Sequence, residues 1–257
     1  MIAGLLTSII CGIIGSLVVV NRIVFISAGT AHTSYGGIGL AFFLGWPVLE
    51  TTLGFSILIA ALVALLTYKN KHHSDAVIGV IWAGGMAFGI ILIDLTPGYQ
   101  ADLMSYLFGS ILAVSEYEIQ LMFLLTIAIL TIIVLFYRDF LAMSYDEEFA
   151  RIKGLPVNRL YFLLLIMISF SVVISIRSVG LIMVIALLTI SPMLTMKFTH
   201  SLRVMMYFSV GMNLTFVFAG LFLSLLLDLS SGALIITVAV IGYILISLLT
   251  KLYQNKP

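Results

Sequence analysis

Hydrophobic residues in this chain form long runs that are separated by short polar stretches. The runs are close to 20 residues long, which is the length that a helix needs to cross a bilayer. They lack the short alternating pattern of transmembrane strands. We therefore predict an all-α, polytopic transmembrane helical bundle with about eight or nine spans. The predicted spans are Ile2–Val20, Ile23–Gly45, Leu53–Tyr68, Ala76–Ile93, Ile119–Tyr137, Leu160–Ile176, Val179–Met196, Val204–Leu227 and Ala233–Thr250.

The composition supports a single integral membrane domain over residues 1–257. The chain is 62% hydrophobic and 9% charged, with a mean hydropathy of +1.25, whereas soluble domains are about one-quarter charged. A net charge of +1 and the lack of a basic face exclude nucleic acid as an expected partner. The single Cys11 lies in the first run and cannot form an intramolecular disulfide. No positive segment precedes that run, so we expect a span rather than a signal peptide.

The densest run of charge lies between the fifth and sixth spans, at about residues 145–157. Acidic residues come first and basic residues last from Asp146 to Lys153, an order that suits the dipole of a helix. Gly154 predicts the end of that helix, and Pro156 prevents its continuation. The pattern predicts a short charged helix in the water phase, where a soluble partner can contact it.

The basic residues predict the orientation of the bundle, because cytoplasmic loops of membrane proteins are rich in lysine and arginine. With nine alternating crossings and the charged helix inside, only Arg177 among the basic residues falls outside. The N-terminus is then external and the C-terminus cytoplasmic. The external polar stretch from Asp94 to Glu118 is predicted to hold a short helix near Leu103–Leu112 that does not cross. The outer side receives acidic residues instead: Glu50, Asp94, Asp102, Glu116, Glu118 and Asp228.

His32 is the first candidate for chemistry, because it lies near the middle of the second predicted span. That span is roughly 33 Å long as a helix, which places the imidazole close to the midplane. Ionisable residues at this depth are typical of functional sites, and neutral imidazole is a good ligand for zinc, manganese or iron. The alternative is a histidine hydrogen-bonded to a neighbouring helix. No second ligand lies three or four residues away, so we expect a transient contact rather than a stable metal site.

Other polar residues within the spans are candidates for lining a translocation path. Ser34 lies beside His32, Thr189 and Ser191-Pro192 lie in the seventh span, and Asn213 lies in the eighth. Interhelical hydrogen bonds or relief of a kink also explain such residues.

The remaining motifs do not predict an enzyme. His72-His73 with Asp75 resembles a metal cluster, but a solvated loop beside Lys69 and Lys71 explains it more simply, and the adjacent cations disfavour a divalent ion. The sequence contains no Ser-His-Asp set, no glycine-rich phosphate loop and no His-Glu-x-x-His motif. Any ATP must therefore be bound by another chain.

Five segments of the chain form an ordered pattern. One is the charged run, through the spacing of Glu148, Ala150 and Gly154. The other four are Arg22–Phe25 with Ala31–Leu40, Asp102–Ser115, Val179–Leu188 and Asp228–Ala233. In order and spacing they resemble the membrane permease subunit of bacterial zinc/manganese/iron ABC importers, with the charged run similar to the coupling loop of ABC permeases. The resemblance covers essentially the whole chain.

The resemblance implies a bacterial inner-membrane (cell-membrane) permease that works with partner proteins. Two copies would form a homodimeric pore, cytoplasmic ATP-binding subunits would contact the helix containing Glu148, Ala150 and Gly154, and an extracellular metal-binding protein would deliver the ion. The ion would enter near acidic residues of the outer face, which are Glu50, Asp94 and Asp102. Apart from the surrounding membrane lipid and the transported ion, no cofactor is implied on this chain.

The sequence departs from the family pattern at two places. Many members carry an aspartate four residues before the early histidine, whereas this chain has Ala28. His32 therefore carries over as the metal contact, but its carboxylate partner does not. The usual Pro-Ala-Ala-Thr turn is altered near Ser191–Thr195, and we assign that turn no role.

The sequence leaves the transported solute open. A histidine without a carboxylate partner favours zinc ahead of manganese and iron. A chelated metal or a vitamin is an alternative solute for a permease of this type. A secondary transporter without an ATPase would be expected to show internal repeats and paired membrane carboxylates, and no acidic residue lies well inside a predicted span. A membrane enzyme would need a nucleophile-base pair or a closed ligand set.

Overall fold

The computed structural model describes residues 2–67, 74–97, 109 and 114–254. All regular structure in these residues is α-helical. These residues form nine helices of 15 to 26 residues and two shorter ones. They are α1 Ile2–Val20, α2 Val24–Leu44, α3 Val48–Thr67, α4 Ser74–Asp94, α5 Glu116–Leu135, α6 Tyr137–Tyr145, α7 Glu147–Ile152, α8 Val157–Val179, α9 Leu181–Thr195, α10 Leu202–Leu227 and α11 Ser231–Gln254.

The nine long helices correspond to the nine predicted spans, and the predicted fold class is confirmed. Seven helices in the described residues are long and apolar enough to cross a membrane. The other two long helices, α2 and α9, do not meet these criteria of length and hydropathy, each for its own reason. Glycines and hydroxyls make α2 less apolar, whereas α9 is apolar but only 15 residues long.

Two predicted span starts are wrong because polar residues belong to the first helical turns. Helix α3 begins at Val48, so Glu50 lies in its first turn rather than in the preceding turn. Helix α5 begins after Ser115, whose hydroxyl accepts a hydrogen bond from the Glu118 amide at 3.3 Å. The Glu118 carboxylate accepts one from the Ser115 amide at 2.9 Å. This reciprocal capping box fixes the start of α5.

Helix α6 was not predicted, because the fifth predicted span continued through Tyr137. The chain instead ends α5 at Leu135 and starts a nine-residue helix at Tyr137. Helix α6 buries Phe140 and Met143, which are three residues apart on one face. It therefore lies against the bundle as an amphipathic element that precedes the charged helix.

The segment Ser191–Thr195 lies within α9, inside the predicted span Val179–Met196. Pro192 has no amide hydrogen and leaves the carbonyl group of Leu188 without its usual helical donor. Gly15 of α1 lies directly against that carbonyl, where a side chain would not fit. A close approach of α1 thus accommodates the proline inside the helix.

Helix α1 forms the centre of the bundle. It packs against α8, α9 and α10, and more lightly against α5. Of the residues in its span, 78% are buried, compared with 17% for α11. The main hydrophobic core includes residues of α1, α2 and α8.

The long helices alternate in direction and give the bundle two chemically different ends. At one end, the Asn21 side chain donates to the Ser144 hydroxyl at 2.8 Å, and the hydroxyls of Thr67 and Tyr161 are 3.4 Å apart. We call this the basic end, because the described lysines and arginines lie there apart from Arg177: Arg22, Arg138, Arg151, Lys153, Arg159, Lys197, Arg203 and Lys251.

The opposite end is called the acidic end. Its acidic residues are Glu50, Asp94, Glu116, Glu118 and Asp228. The Tyr117 hydroxyl donates to the Glu50 carboxylate at 2.8 Å and joins the starts of α3 and α5. The division of charge follows the predicted pattern. Asp102, the predicted helix near Leu103–Leu112, His72-His73, Lys69, Lys71 and Lys256 lie outside the described residues.

Candidate functional site

Helices α2 and α4 pack with their backbones in close contact. Gly39 of α2 lies against the backbone of Gly89, and Gly85 lies against Thr33. A Cβ atom added at Gly89 would lie 2.6 Å from the carbonyl carbon of Tyr35. Gly85 and Gly89 are four residues apart, a spacing that lets membrane helices approach closely. The glycines of α2 are thus explained by packing, and this packing fixes the position of His32.

His32 is half-buried on α2, and its ring has a defined hydrogen bond. Its Nδ1 atom lies 2.8 Å from the carbonyl oxygen of Ala28. A carbonyl oxygen only accepts, so Nδ1 carries the proton and Nε2 keeps its lone pair. Histidines that bind metals commonly donate from the other ring nitrogen in this way. The arrangement therefore leaves Nε2 able to bind a cation.

Trp82 of α4 lies over the His32 ring, and the sequence did not predict this contact. The ring centroids are 4.0 Å apart and the planes are tilted by 32°. Trp82 itself donates from Nε1 to the Met86 sulfur at 3.1 Å. The available signal was a tryptophan within a span, followed by Ala83, Gly84 and Gly85. Trp82 orients the imidazole and covers one of its faces.

Ser34 does not share a site with His32. It is fully buried, donates to the Thr30 carbonyl at 2.9 Å, and lies 3.2 Å from the Ser56 hydroxyl of α3. Residues two positions apart point to different sides of a helix. Ser34 therefore joins α2 to α3, while His32 faces Trp82 of α4.

Asn213 lies at a fully buried junction of α1, α9 and α10. Its Oδ1 atom accepts from the Ser191 hydroxyl at 2.6 Å. Its Nδ2 group donates to the carbonyl oxygens of Ser8 and Leu187 at 3.4 and 3.3 Å. Thr189 donates within its own helix to Ile185 at 2.8 Å. This geometry fits the alternative of interhelical hydrogen bonding, and it does not join these residues to His32.

A cavity extends from the basic end almost to His32. It has a volume of about 770 Å³ and reaches Ala28, one helical turn before the histidine. Arg22 and Asp75 supply charge to its lining, and three methionines supply soft sulfur atoms: Met193, Met196 and Met205. The described residues contain no group of three histidine, cysteine or acidic side chains able to hold a metal. The cavity therefore leads from the basic end toward a single histidine, His32.

Helix α7 occupies the predicted position of the charged helix, with Asp146 and Lys153 as its caps. The Asp146 carboxylate accepts from the Phe149 amide at 2.9 Å, a standard N-cap bond. Arg151 contacts Glu147 at 2.6 Å and the Asn158 side chain of α8 at 3.0 Å. The first bond lies within α7, and the second joins α7 to the start of α8.

The candidate coupling residues of α7 have three different environments. Glu148 is exposed, whereas Ala150 is fully buried. Gly154 has a φ of +79°, and no atom lies within 4 Å of the position of a Cβ atom. Phe149 and Ile152 are also exposed, Ile152 by 84%. Helix α7 therefore presents an acidic and apolar surface, with Gly154 supplying the left-handed residue that ends it.

The acidic end holds two of the three residues predicted to receive the ion. Glu50 and Asp94 are both exposed there, and Tyr117 donates to Glu50. Asp102 lies outside the described residues. The side chains of Glu50 and Asp94 are accessible, and they remain candidates for an entry site.

The fold defines a polytopic membrane protein of the permease type, with membrane helices and a short capped helix at one end. The profile of the ABC 3 transport family matches residues 1–250. The chain belongs to this family.

Related proteins match along most of their length. The chain is 46% identical over 244 residues to an uncharacterized membrane protein of Synechocystis sp., covering 95% of this chain and 87% of the relative. It is 31% identical to a "Probable metal transport system membrane protein" of Chlamydia trachomatis, covering 96% and 86%. It is 28% identical to the "Manganese transport system membrane protein MntC" of Halalkalibacterium halodurans, covering 92% and 81%.

A solved structure has the same arrangement of helices. It is described as PsaBC from Streptococcus pneumoniae in complex with Fab. The TM-score is 0.85 at 28% sequence identity, and the match covers 95% of this chain and 88% of that chain. The predicted resemblance to ABC permeases is thereby confirmed.

Proposed function

We propose that this chain is the transmembrane subunit of an ATP-driven importer for divalent transition-metal ions. The observation that carries this proposal is the family match over residues 1–250. Relatives named for metal and manganese transport support a metal ion as the solute. The chain is the pore subunit, and ATP is hydrolysed by a separate subunit.

Helix α7 is the contact with the ATP-binding subunit in this proposal. Its exposed surface of Glu148, Phe149 and Ile152 has the mixed character typical of a docking helix. The bond from Arg151 to Asn158 links α7 to the start of α8. A displacement of α7 is thereby passed to a membrane span. Two copies of the chain form the pore, and a binding protein delivers the ion at the acidic end.

The basic end faces the cytoplasm in this proposal, in agreement with the positive-inside rule. The cavity that reaches Ala28 is then the route by which an ion leaves toward the cytoplasm. A single neutral imidazole suits this task, because ions on a path must be bound weakly enough to leave.

Zinc is the ion that we place first, because His32 lacks a neighbouring carboxylate and imidazole suits zinc well. Manganese follows, and the names of relatives such as MntC favour it. Carboxylate and water ligands are more typical of manganese. Uptake of zinc, manganese and iron by the same vesicles would rank the three ions directly.

The test of this proposal is co-assembly with the ATP-binding subunit and metal-stimulated ATP hydrolysis in vesicles. Glu148→Ala removes an exposed side chain and leaves the fold intact. We expect it to weaken assembly by roughly tenfold, the effect of losing a well-placed interface residue. Gly154→Val strains a left-handed position and costs on the order of 1 kcal/mol, so it should uncouple hydrolysis from the metal.

Glu116→Ala is the matched control, because Glu116 is an exposed acidic residue at the opposite end. It should assemble and hydrolyse ATP as the unmodified chain does. Unchanged assembly and unchanged stimulation in both α7 variants would remove α7 from the coupling interface. Metal uptake by vesicles without any ATP-binding subunit would instead support a secondary transporter.

A further inference from the structure

A groove opens to the membrane between α5 and α10, away from His32 and α7. Its volume is about 340 Å³. Ile13 of α1 forms its floor, Leu130 and Val134 line the α5 side, and Met206 lines the α10 side. Val134 is 74% exposed, so this wall faces the surroundings of the bundle. The groove is apolar below its mouth.

The depth of the groove matches one leaflet of a bilayer. Ile13 lies seven residues before the end of α1 at Val20, which places it about 10 Å below the basic end. Half of the hydrocarbon core measures about 15 Å. Water in such an apolar space would lack hydrogen-bond partners. A hydrocarbon chain is the occupant that matches this depth and lining.

The mouth of the groove carries positive charge. Arg203 lies at the second position of α10, and its guanidinium carbon is 5.1 Å from the centroid of the Tyr137 ring. Arg203 is exposed and has no ion-pair partner among the described residues. A guanidinium stacked on a ring keeps its N–H donors free in its own plane. These donors can bind the oxygens of a phosphate.

The charged residue that lines the groove is an arginine. Arg203 is part of the lining, whereas Arg138 and Asp139, which follow Tyr137 on α6, are not. Tyr207 lines the groove beside Arg203 and is 72% exposed. Tyrosine side chains are favoured where lipid headgroups meet the hydrocarbon. The mouth of the groove therefore favours an anion.

We propose that this groove binds an anionic phospholipid from the leaflet at the basic end. The phosphate of the lipid contacts Arg203 above Tyr137, and one acyl chain lies along Val134, Met206 and Ile13. The bound lipid fills the gap between α5 and α10. This inference is independent of the transported ion and of the ATP-binding partner.

The experiment measures lipid retention by the full-length chain. The purified chain is equilibrated with phosphatidylglycerol and phosphatidylcholine of equal acyl composition, washed, and assayed by mass spectrometry of the bound lipid. We expect preferential retention of phosphatidylglycerol by roughly tenfold, as one charge-assisted contact allows. Arg203→Gln should abolish this preference, and Arg203→Lys should keep part of it.

Lys251→Gln is the matched control, since it removes an exposed cation from the same end outside the groove. It should retain the preference. A third variant, Val134→Trp, fills the groove without changing charge and should reduce the amount of bound lipid. Soluble glycerol phosphate should not compete, because it lacks the acyl chain.

Three outcomes would overturn the proposal. One is equal retention of the two lipids by the unmodified chain. Another is equal loss of preference in Arg203→Gln and Lys251→Gln, which would indicate only a general surface charge. The third is a change of oligomeric state in Val134→Trp, which would assign the groove to a second copy of the chain.

Discussion

The hydrogen bond from His32 to Ala28 decides which nitrogen of the imidazole is available. Because Nδ1 donates within its own helix, Nε2 keeps its lone pair, and the proposed function assigns the contact with the ion to this atom. His32→Ala should lower metal uptake at limiting concentration by at least roughly tenfold, in line with other losses in metal sites. The loss should shrink at saturating metal, since a transient contact matters most when the ion is scarce.

His200→Ala is the comparison for that experiment. His200 is exposed in the connection between α9 and α10, so its loss should leave uptake unchanged. Uptake at the unmodified rate in His32→Ala would make His32 a packing residue that contacts Trp82.

Single residues were predictable from the sequence when local chemistry determined them. His32 could be selected as a candidate because an ionisable group among small residues in a span is unusual, and its hydrogen bond to Ala28 lies within its own helix. The direction of Ser34 and the hydrogen bonds of Asn213 depend on helices far away in the chain. Trp82 was not predicted because aromatic residues are common in spans, and its contact with His32 requires the packing of α2 on α4.

At the scale of elements, the contact between α2 and α4 depends on glycine at certain positions only. Gly89→Ala would place a methyl group against the Tyr35 backbone, with the carbonyl carbon 2.6 Å away. The two backbones would have to separate, so we expect a loss of roughly 1–3 kcal/mol in unfolding free energy. Thermal unfolding of the purified chain measures this loss.

Gly84 provides the control on the same helix. No atom lies within 4 Å of its Cβ position, and alanine is a better helix former than glycine. Gly84→Ala should therefore unfold at the same or a slightly higher temperature. Equal destabilisation by both substitutions would mean that helix propensity, and not the contact with α2, explains the result.

The ends of a helix were predicted correctly where residues close to them in the sequence determine them. Helix α7 was predicted within one residue because Asp146 caps it and Gly154 ends it, and both signals lie in the sequence itself. The boundary between α5 and α6 at Phe136 has no proline or glycine, so nothing local indicated it. Helix α9 continues through Pro192, and Gly15 of α1 lies against the carbonyl that the proline leaves free, a contact between helices that are far apart in the chain.

For the whole molecule, the proposed orientation predicts which residues are accessible from each side. In intact cells, a membrane-impermeant maleimide should label Asp94→Cys but not Lys153→Cys. Lysis of the cells should make Lys153→Cys reactive. Both positions are exposed, and the native Cys11 is fully buried, so the background should be low. The reverse labelling pattern would invert the bundle and place α7 outside the cytoplasm.

The sequence predicted the number and order of the long helices but not their places in the bundle. Helices α1 and α11 are both strongly apolar, yet 78% of one span and 17% of the other are buried. Hydrophobicity does not distinguish lipid from protein interior, because both are apolar. The residues that place α1 at the centre are small ones such as Gly12 and Gly15, which admit α10 and α9 closely.

The central position of α1 also affects how the protein is made. During synthesis, α1 is completed before α8, α9 and α10. It must therefore be stable as a single helix in the bilayer before its packing partners are present. Two of its three hydroxyls are paired locally, since Ser8 donates to Gly4 and Ser16 to Gly12, each at 2.7 Å, whereas the Thr7 hydroxyl lies 3.3 Å from that of Ser178 on α8. Such pairing removes the cost of an unsatisfied donor in hydrocarbon. The newly made helix can thus be released into the bilayer alone and recruited to the interior later.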